Sequence, residues 1–193
     1  MNTSKRKSHL AVRMLCEGAI MLALALVFNS LKLIRFTNGG SVDLAMIPIL
    51  FFAIRWGVGS GCLVAFAFGA LQIFIDGAVA WGWQSLLLDY LVAFTPLGLA
   101  GLFRGKKWGI FVGTVVCAFL RFLVHYISGI TIYAIVAPTE LFSITFTQPW
   151  MYSLAYNGSY MLVNTVICLV VFGLLYRPLH KYILAEDILP RKN

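Results

Sequence analysis

Charge is what this chain is short of, and acidic charge most of all. Only 11% of its 193 residues are charged, and seven Asp and Glu stand against fifteen Lys and Arg. So few charges cannot cover a water-soluble surface, and no polar stretch, linker or low-complexity tract is long enough to form a soluble appendage. Four cysteines are present, Cys16, Cys62, Cys117 and Cys168, scattered through apolar segments without paired or clustered spacing. That scatter excludes a disulfide framework and leaves them as small core residues. No His and Cys spacing suits zinc, so no metal is expected. The stretch around Gly105-Lys106 lacks the earlier glycine of a phosphate-binding loop, which excludes ATP hydrolysis by that route. Gly57-Val58-Gly59-Ser60-Gly61 does not match the nucleophile turn G-x-S-x-G. These absences argue against an enzyme, and no cofactor is expected.

What the chain has in abundance is apolar length. Hydrophobic residues make up 61% of it, and the mean hydropathy is +0.88. A hydrocarbon core about 30 Å thick needs roughly 20 apolar helical residues to span it. Six stretches qualify or nearly do: 15–34, 42–55, 58–75, 84–103, 108–135 and 150–176. The second is short and should be tilted, buried or irregular. The expected fold is therefore an all-α integral membrane bundle of six transmembrane helices, with residues 1–193 forming a single membrane domain.

Basic residues alternate with these stretches. Lys5, Arg6, Lys7 and Arg13 precede the first, and Arg55 separates the second from the third. Arg104, Lys106 and Lys107 follow the fourth, and Arg177, Lys181, Arg191 and Lys192 follow the sixth. The opposite loops hold only Lys32 and Arg35, with Asp43, Asp76 and Glu140. By the positive-inside rule both termini face the cytoplasm. A pI near 9.5 also suits nucleic-acid binding, but here the basic residues border membrane spans and no soluble basic domain remains to carry it. The N-terminus has the basic-then-apolar order of a signal peptide. Glu17 interrupts that run and no A-x-A site follows, so a retained first helix is expected.

Ionisable groups inside a span are costly unless paired or facing a cavity, which makes each a functional candidate. Glu17, Asp89, Arg121 and His125 are the four. At about 1.5 Å of rise per residue, Asp89 lies roughly 8 Å below the outer boundary and His125 about 25 Å along the fifth span from inside. Asn157 lies roughly 10 Å down the sixth. Three helices thus bring Asp89, His125 and Asn157 to one level. Trp81, Trp83, Tyr90, Tyr126, Tyr133, Trp150, Tyr152 and Tyr156 surround it. By themselves these aromatics read as an interfacial belt. Beside a carboxylate, an imidazole and an amide, they suit a flat cation held by charge and cation–π attraction. A lone carboxylate at that depth is neutralised or paired, and Arg121 is a candidate partner for Asp89. Glu17 reads as an interfacial residue. On the first span, Ala19 and Ala23, near Gly18 and Ala25, form a small-x-x-x-small face suited to close helix approach, within the bundle or with a partner.

With these residues in view, the chain resembles the thiamine-specific substrate-binding (S) component of energy-coupling factor (ECF) transporters, the ThiT/YuaJ-type family. The likeness rests on Glu17-Gly18-Ala19-Ile20, Gly39-Gly40-Ser41-Val42 leading to Met46-Ile47-Pro48-Ile49, and Arg55-Trp56-Gly57. It continues through Leu88-Asp89-Tyr90, Gly98-Leu99-Ala100-Gly101, His125-Tyr126-Ile127-Ser128-Gly129, Tyr152-Ser153-Leu154 and Tyr156-Asn157. The resemblance implies a six-helix S component of the bacterial plasma membrane. It would bind thiamine from outside and rely on a transmembrane coupling protein and two ATPase subunits. By the same resemblance the substrate residues are Asp89, Tyr90, His125, Tyr133, Tyr152 and Asn157, and the partner-coupling face is Ala19 and Ala23. Some members carry Glu in place of Asp89, Trp in place of Tyr133 and an aromatic in place of Gly39. The alternatives are an S component for another small vitamin and a stand-alone proton-coupled carrier using Asp89 and His125 as a relay.

Overall fold

The computed structural model describes residues 3–36, 39–75, 82–136, 139–141 and 143–189. Six helices carry nearly all of it: α1 (Thr3–Ser30), α2 (Met46–Trp56), α3 (Val58–Ile75), α4 (Trp83–Phe103), α5 (Gly109–Val136) and α6 (Pro149–Ile183). All but α2 are long and apolar enough to cross a membrane. Their outward faces are apolar too, with Leu63, Phe74, Leu162 and Leu174 all exposed. That is the reverse of a soluble protein, where large side chains turn inward, and it fits a surface solvated by lipid.

The short second stretch is resolved by burial. Nearly every residue of α2 is enclosed by its neighbours, from Met46 to Arg55, so it serves as the post around which α1, α3, α4 and α6 pack. Its start at Met46 is later than the apolar run suggests, because residues before it belong to a ribbon. There β1 (Ile34–Arg35) pairs antiparallel with β2 (Ser41–Val42). Extended backbone here also ends α1 at Ser30, short of the apolar limit at 34. A second antiparallel ribbon, β3 (Thr139–Leu141) with β4 (Ile144–Phe146), joins α5 to α6. Apolar length alone signals neither ribbon.

α4 departs most from regular geometry. It opens as one α-helical turn, widens into a π-helical turn over Leu87–Val92, and tightens to a 3-10 helix over Thr95–Phe103 with Pro96 near its start. The tight segment lies backbone to backbone against α3, where a Cβ on Gly98 would collide with the main chain of Cys62. Small residues permit such contact, which gains dispersion energy where lipid removes the hydrophobic drive between helices. Beside this seam, Phe68 and Phe94 meet edge to face at 4.8 Å between ring centroids. π-turns concentrate at functional positions because they shift the register of side chains around them. This one carries Asp89.

Candidate functional site

Asp89 is surrounded by short-range donors. Ser85, one turn earlier on α4, donates to Oδ2 at 2.7 Å, and Ser128 of α5 donates to the same oxygen at 3.0 Å. Oδ1 lies 3.0 Å from His125 Nδ1. The carboxylate keeps a quarter of its side-chain surface exposed. Among the described residues no Lys or Arg reaches within salt-bridge distance of it. The candidate partnership with Arg121 is therefore not formed. Arg121 lies one turn from His125 on α5, but its guanidinium carbon sits 4.0 Å from the centroid of the Phe94 ring. Its Nε and Nη1 are buried without a hydrogen-bond partner among the described residues. On the widened turn of α4, Asp89 meets Ser128 and His125 of α5 as well as Ser85 of its own helix.

Asn157 approaches His125 from the other side. Its Nδ2 donates to the His125 carbonyl oxygen at 3.2 Å and to Ser153 Oγ at 3.0 Å, and its Oδ1 accepts from the Tyr160 hydroxyl at 2.8 Å. Ser153 in turn donates to the Tyr126 carbonyl at 2.8 Å. These contacts require α6 to lie hard against α5, and Gly129 allows it: a Cβ there would strike Ser153 Oγ and crowd Asn157 Nδ2. Buried amides and hydroxyls are tolerated when each finds a partner, and a satisfied network holds its members in one geometry. His125 Nε2 is the exception. It is buried and has no partner among the described residues.

Aromatic rings wall the same region. Tyr152 and Tyr156 stack at 5.5 Å with an interplanar angle of 14°, and Phe146 of β4 meets the edge of Tyr152. Tyr160 lies edge-on to His125 at 6.2 Å between centroids. The first ribbon is fastened over these rings. Gly40 N donates to the Tyr156 hydroxyl at 2.8 Å, and Asn164 exchanges hydrogen bonds with Asp43 N and Ser41 O. Tyr90 follows Asp89 on the π-turn and is buried. Of Tyr133 only the backbone, in the last turns of α5, is described; its side chain and the whole of Trp81 lie outside the described residues. Trp83 and Trp150 are strongly exposed, as an interfacial belt requires.

Direct contact thus joins Asp89 to His125, and Asn157 to the His125 backbone, with Tyr152 nearby through Tyr156. Ser85, Ser128, Ser153 and Tyr160 escape the sequence reading. The signal for two of the serines was present: Ser85 lies four residues before Asp89, which it bonds, and Ser128 three after His125, so each shares a helix face with a residue of the site.

At the far end of the bundle Ala19 and Ala23 lie exposed on α1, while Gly18 and Ala25 turn inward and Gly18 rests on Phe52. Glu17 is not a solvated interfacial residue. Arg55, Arg13 and Trp56 all donate to its carboxylate.

Comparison with known proteins places this architecture. A solved structure of ThiT from Listeria monocytogenes superposes with a TM-score of 0.78, covering 90% of this chain and 98% of that one at 19% identity, which establishes the shared fold. A protein of Bacillus subtilis (strain 168) named thiamine transporter ThiT is 36% identical over 191 residues, covering 91% of this chain and 94% of its own length. A thiamine transporter ThiT of Lacticaseibacillus paracasei is 30% identical over 200 residues, covering 94% and 95%. The family model described as thiamine transporter protein (Thia_YuaJ) matches residues 15–184. With its helical fold, its apolar exterior and nearly its whole length accounted for, this chain belongs to the thiamine transporter (Thia_YuaJ) family.

Proposed function

We propose that this multi-pass protein of the bacterial plasma membrane captures thiamine from outside as the S component of an ECF-type transporter, and is not itself an enzyme. The observation that carries the reading is Asp89: a partly exposed carboxylate with three neighbouring donors and, among the described residues, no Lys or Arg within salt-bridge distance. Half-buried carboxylates of this kind favour a positive ligand, and thiamine brings a thiazolium cation together with an aminopyrimidine. Asp89 supplies charge and acceptor oxygens. His125 and Asn157 orient the ligand, and Tyr90, Tyr133 and Tyr152 contribute ring contacts.

In this reading both termini face the cytoplasm, and the site opens on the opposite side beneath the two ribbons. A chain without a nucleotide-binding loop must borrow its energy. The exposed Ala19 and Ala23 offer a face on which a transmembrane coupling protein, joined to two ATPases, packs closely.

Titration of the purified protein with thiamine, without ATP, tests the reading. Tryptophan fluorescence should be quenched with saturation at a single site. Tight binding of riboflavin or biotin without competition by thiamine would replace the substrate assignment. Net uptake by this chain alone in liposomes, driven by a proton gradient, would replace the S-component assignment.

A further inference from the structure

α1 is the helix that the bundle encloses least. Only 11% of its apolar window is buried. It packs on α2 and α3, while toward α6 an apolar groove lined by Met21, Leu24, Phe28, Phe51, Phe172 and Leu179 opens beside it. Two polar clamps fasten it. At one end Gln72 Nε2 of α3 donates to Asn29 Oδ1 at 3.1 Å, with both residues buried. The other end is held by Arg55, whose side chain is 2% exposed.

Arg55 forks in two directions. Nε and Nη2 donate to the two Glu17 oxygens at 2.6 and 3.2 Å, while Nη1 and Nη2 donate to the two Asp187 oxygens at 2.7 and 2.8 Å. Trp56 Nε1 donates to Glu17 at 2.7 Å. Arg13 closes the figure, reaching Glu17 at 2.8 Å and Asp187 at 2.6 Å. Two guanidinium groups thus balance two carboxylates. Asp187 arrives on the segment after α6, which turns back at Ala185 with φ of 56° and buries Ala185 and Ile188. Leu189 then lies against Gly105, between α4 and α5.

Ala19 and Ala23 lie on α1 between the two clamps. A docking face of methyl groups depends on close fit, since a gap of 0.5–1 Å forfeits roughly a quarter to a half of each dispersion contact. Such a face works only if the helix that bears it is held at one angle. We infer that Arg55 is a positioning residue for energy coupling: by bridging Glu17 of α1 to Asp187 of the C-terminal segment, it fixes α1 and so presents the Ala19 and Ala23 face to the transmembrane partner in one orientation. The inference rests on the S-component reading and adds to it a part of the molecule remote from the ligand.

The test uses the full chain with Glu17→Gln, Asp187→Asn and Asp187→Glu, variants that leave the buried guanidinium in place. Each is measured for thiamine affinity, for association with the energising module of coupling protein and two ATPases, and for ATP-driven uptake in proteoliposomes. Expected are thiamine dissociation constants within about twofold of the wild type, with association and uptake reduced about tenfold in both neutral variants. Asp187→Glu keeps the charge and should retain most of the uptake, a rescue that general loosening of the bundle does not predict. Unchanged association and uptake in both neutral variants overturns the role. So does a parallel loss of thiamine affinity, which makes the cluster a support for the whole fold. Failure of the wild-type chain to associate with the module removes the coupling reading itself, and this role with it.

Discussion

The two ends of this bundle each hold a polar cluster, and the clusters are built on opposite plans. At one end Asp89 is surrounded by the hydroxyls of Ser85 and Ser128 and the imidazole of His125, whose Nε2 has no partner among the described residues. At the other, Glu17 and Asp187 are met by Arg55 and Arg13 with nearly every acceptor used. The first holds a carboxylate that meets no Lys or Arg among the described residues; the second is closed. A carboxylate without a cation at membrane depth is costly, and a cationic ligand relieves that cost. A balanced ion lattice asks for nothing further, and its use is geometric.

Removing the centre of the closed cluster tests that contrast most severely. Arg55→Ala leaves Glu17 and Asp187 to share the half-exposed Arg13 alone, and loss of one partner from a buried ion network costs about 3–5 kcal/mol. Thermal unfolding in detergent should show a large drop in midpoint. A midpoint within a degree or two of the wild type would mean that the lattice is worth little and that α1 is held by packing alone.

Asp89→Asn should act in the opposite manner, sparing the fold and striking the ligand. The amide keeps the shape and some of the hydrogen bonding, but loses the charge. A charged hydrogen bond in such a site is worth about 1.5–3 kcal/mol, so thiamine affinity should fall roughly tenfold to a hundredfold. Unchanged affinity in a folded variant would return Asp89 to a structural role, and with it the distinction between open and closed clusters.

The smallest effect is one of pH. Hydrogen bonds from Arg55 hold the Asp187 carboxyl down at about 2, below its ordinary 3.8. A depressed carboxylate stabilises the folded state above its unfolded value and loses that contribution as pH falls through the folded one. Stability measured by thermal unfolding should therefore decline from just below pH 4 toward pH 2, and Asp187→Asn should flatten that part of the curve. An acid limb identical in the variant would assign the decline to other groups.

Apolar length and loop charge made the helices legible, because spanning hydrocarbon sets a minimum run of residues that no other requirement imitates. Helical rise was enough to bring Asp89, His125 and Asn157 to one level. It was not enough to choose partners. The sequence offered Arg121 as one candidate partner for Asp89; in the structure Arg121 lies over the Phe94 ring, and Asp89, on a π-turn of α4, meets Ser85, Ser128 and His125. A π-turn is a matter of which amide meets which carbonyl, and an apolar pattern carries no trace of it.

The sequence by itself determined a membrane bundle of six helices, the level at which its polar residues gather, and a face of small residues on the first helix. Each of these depends on local composition and on distance along one helix. Tertiary structure alone decided that Glu17 is paired, that α2 is enclosed, and that Asp187 returns across 132 positions of chain to meet Arg55. Those outcomes depend on which surfaces come together once the helices pack, and a charge finds its counterion through space, where separation along the chain sets no limit.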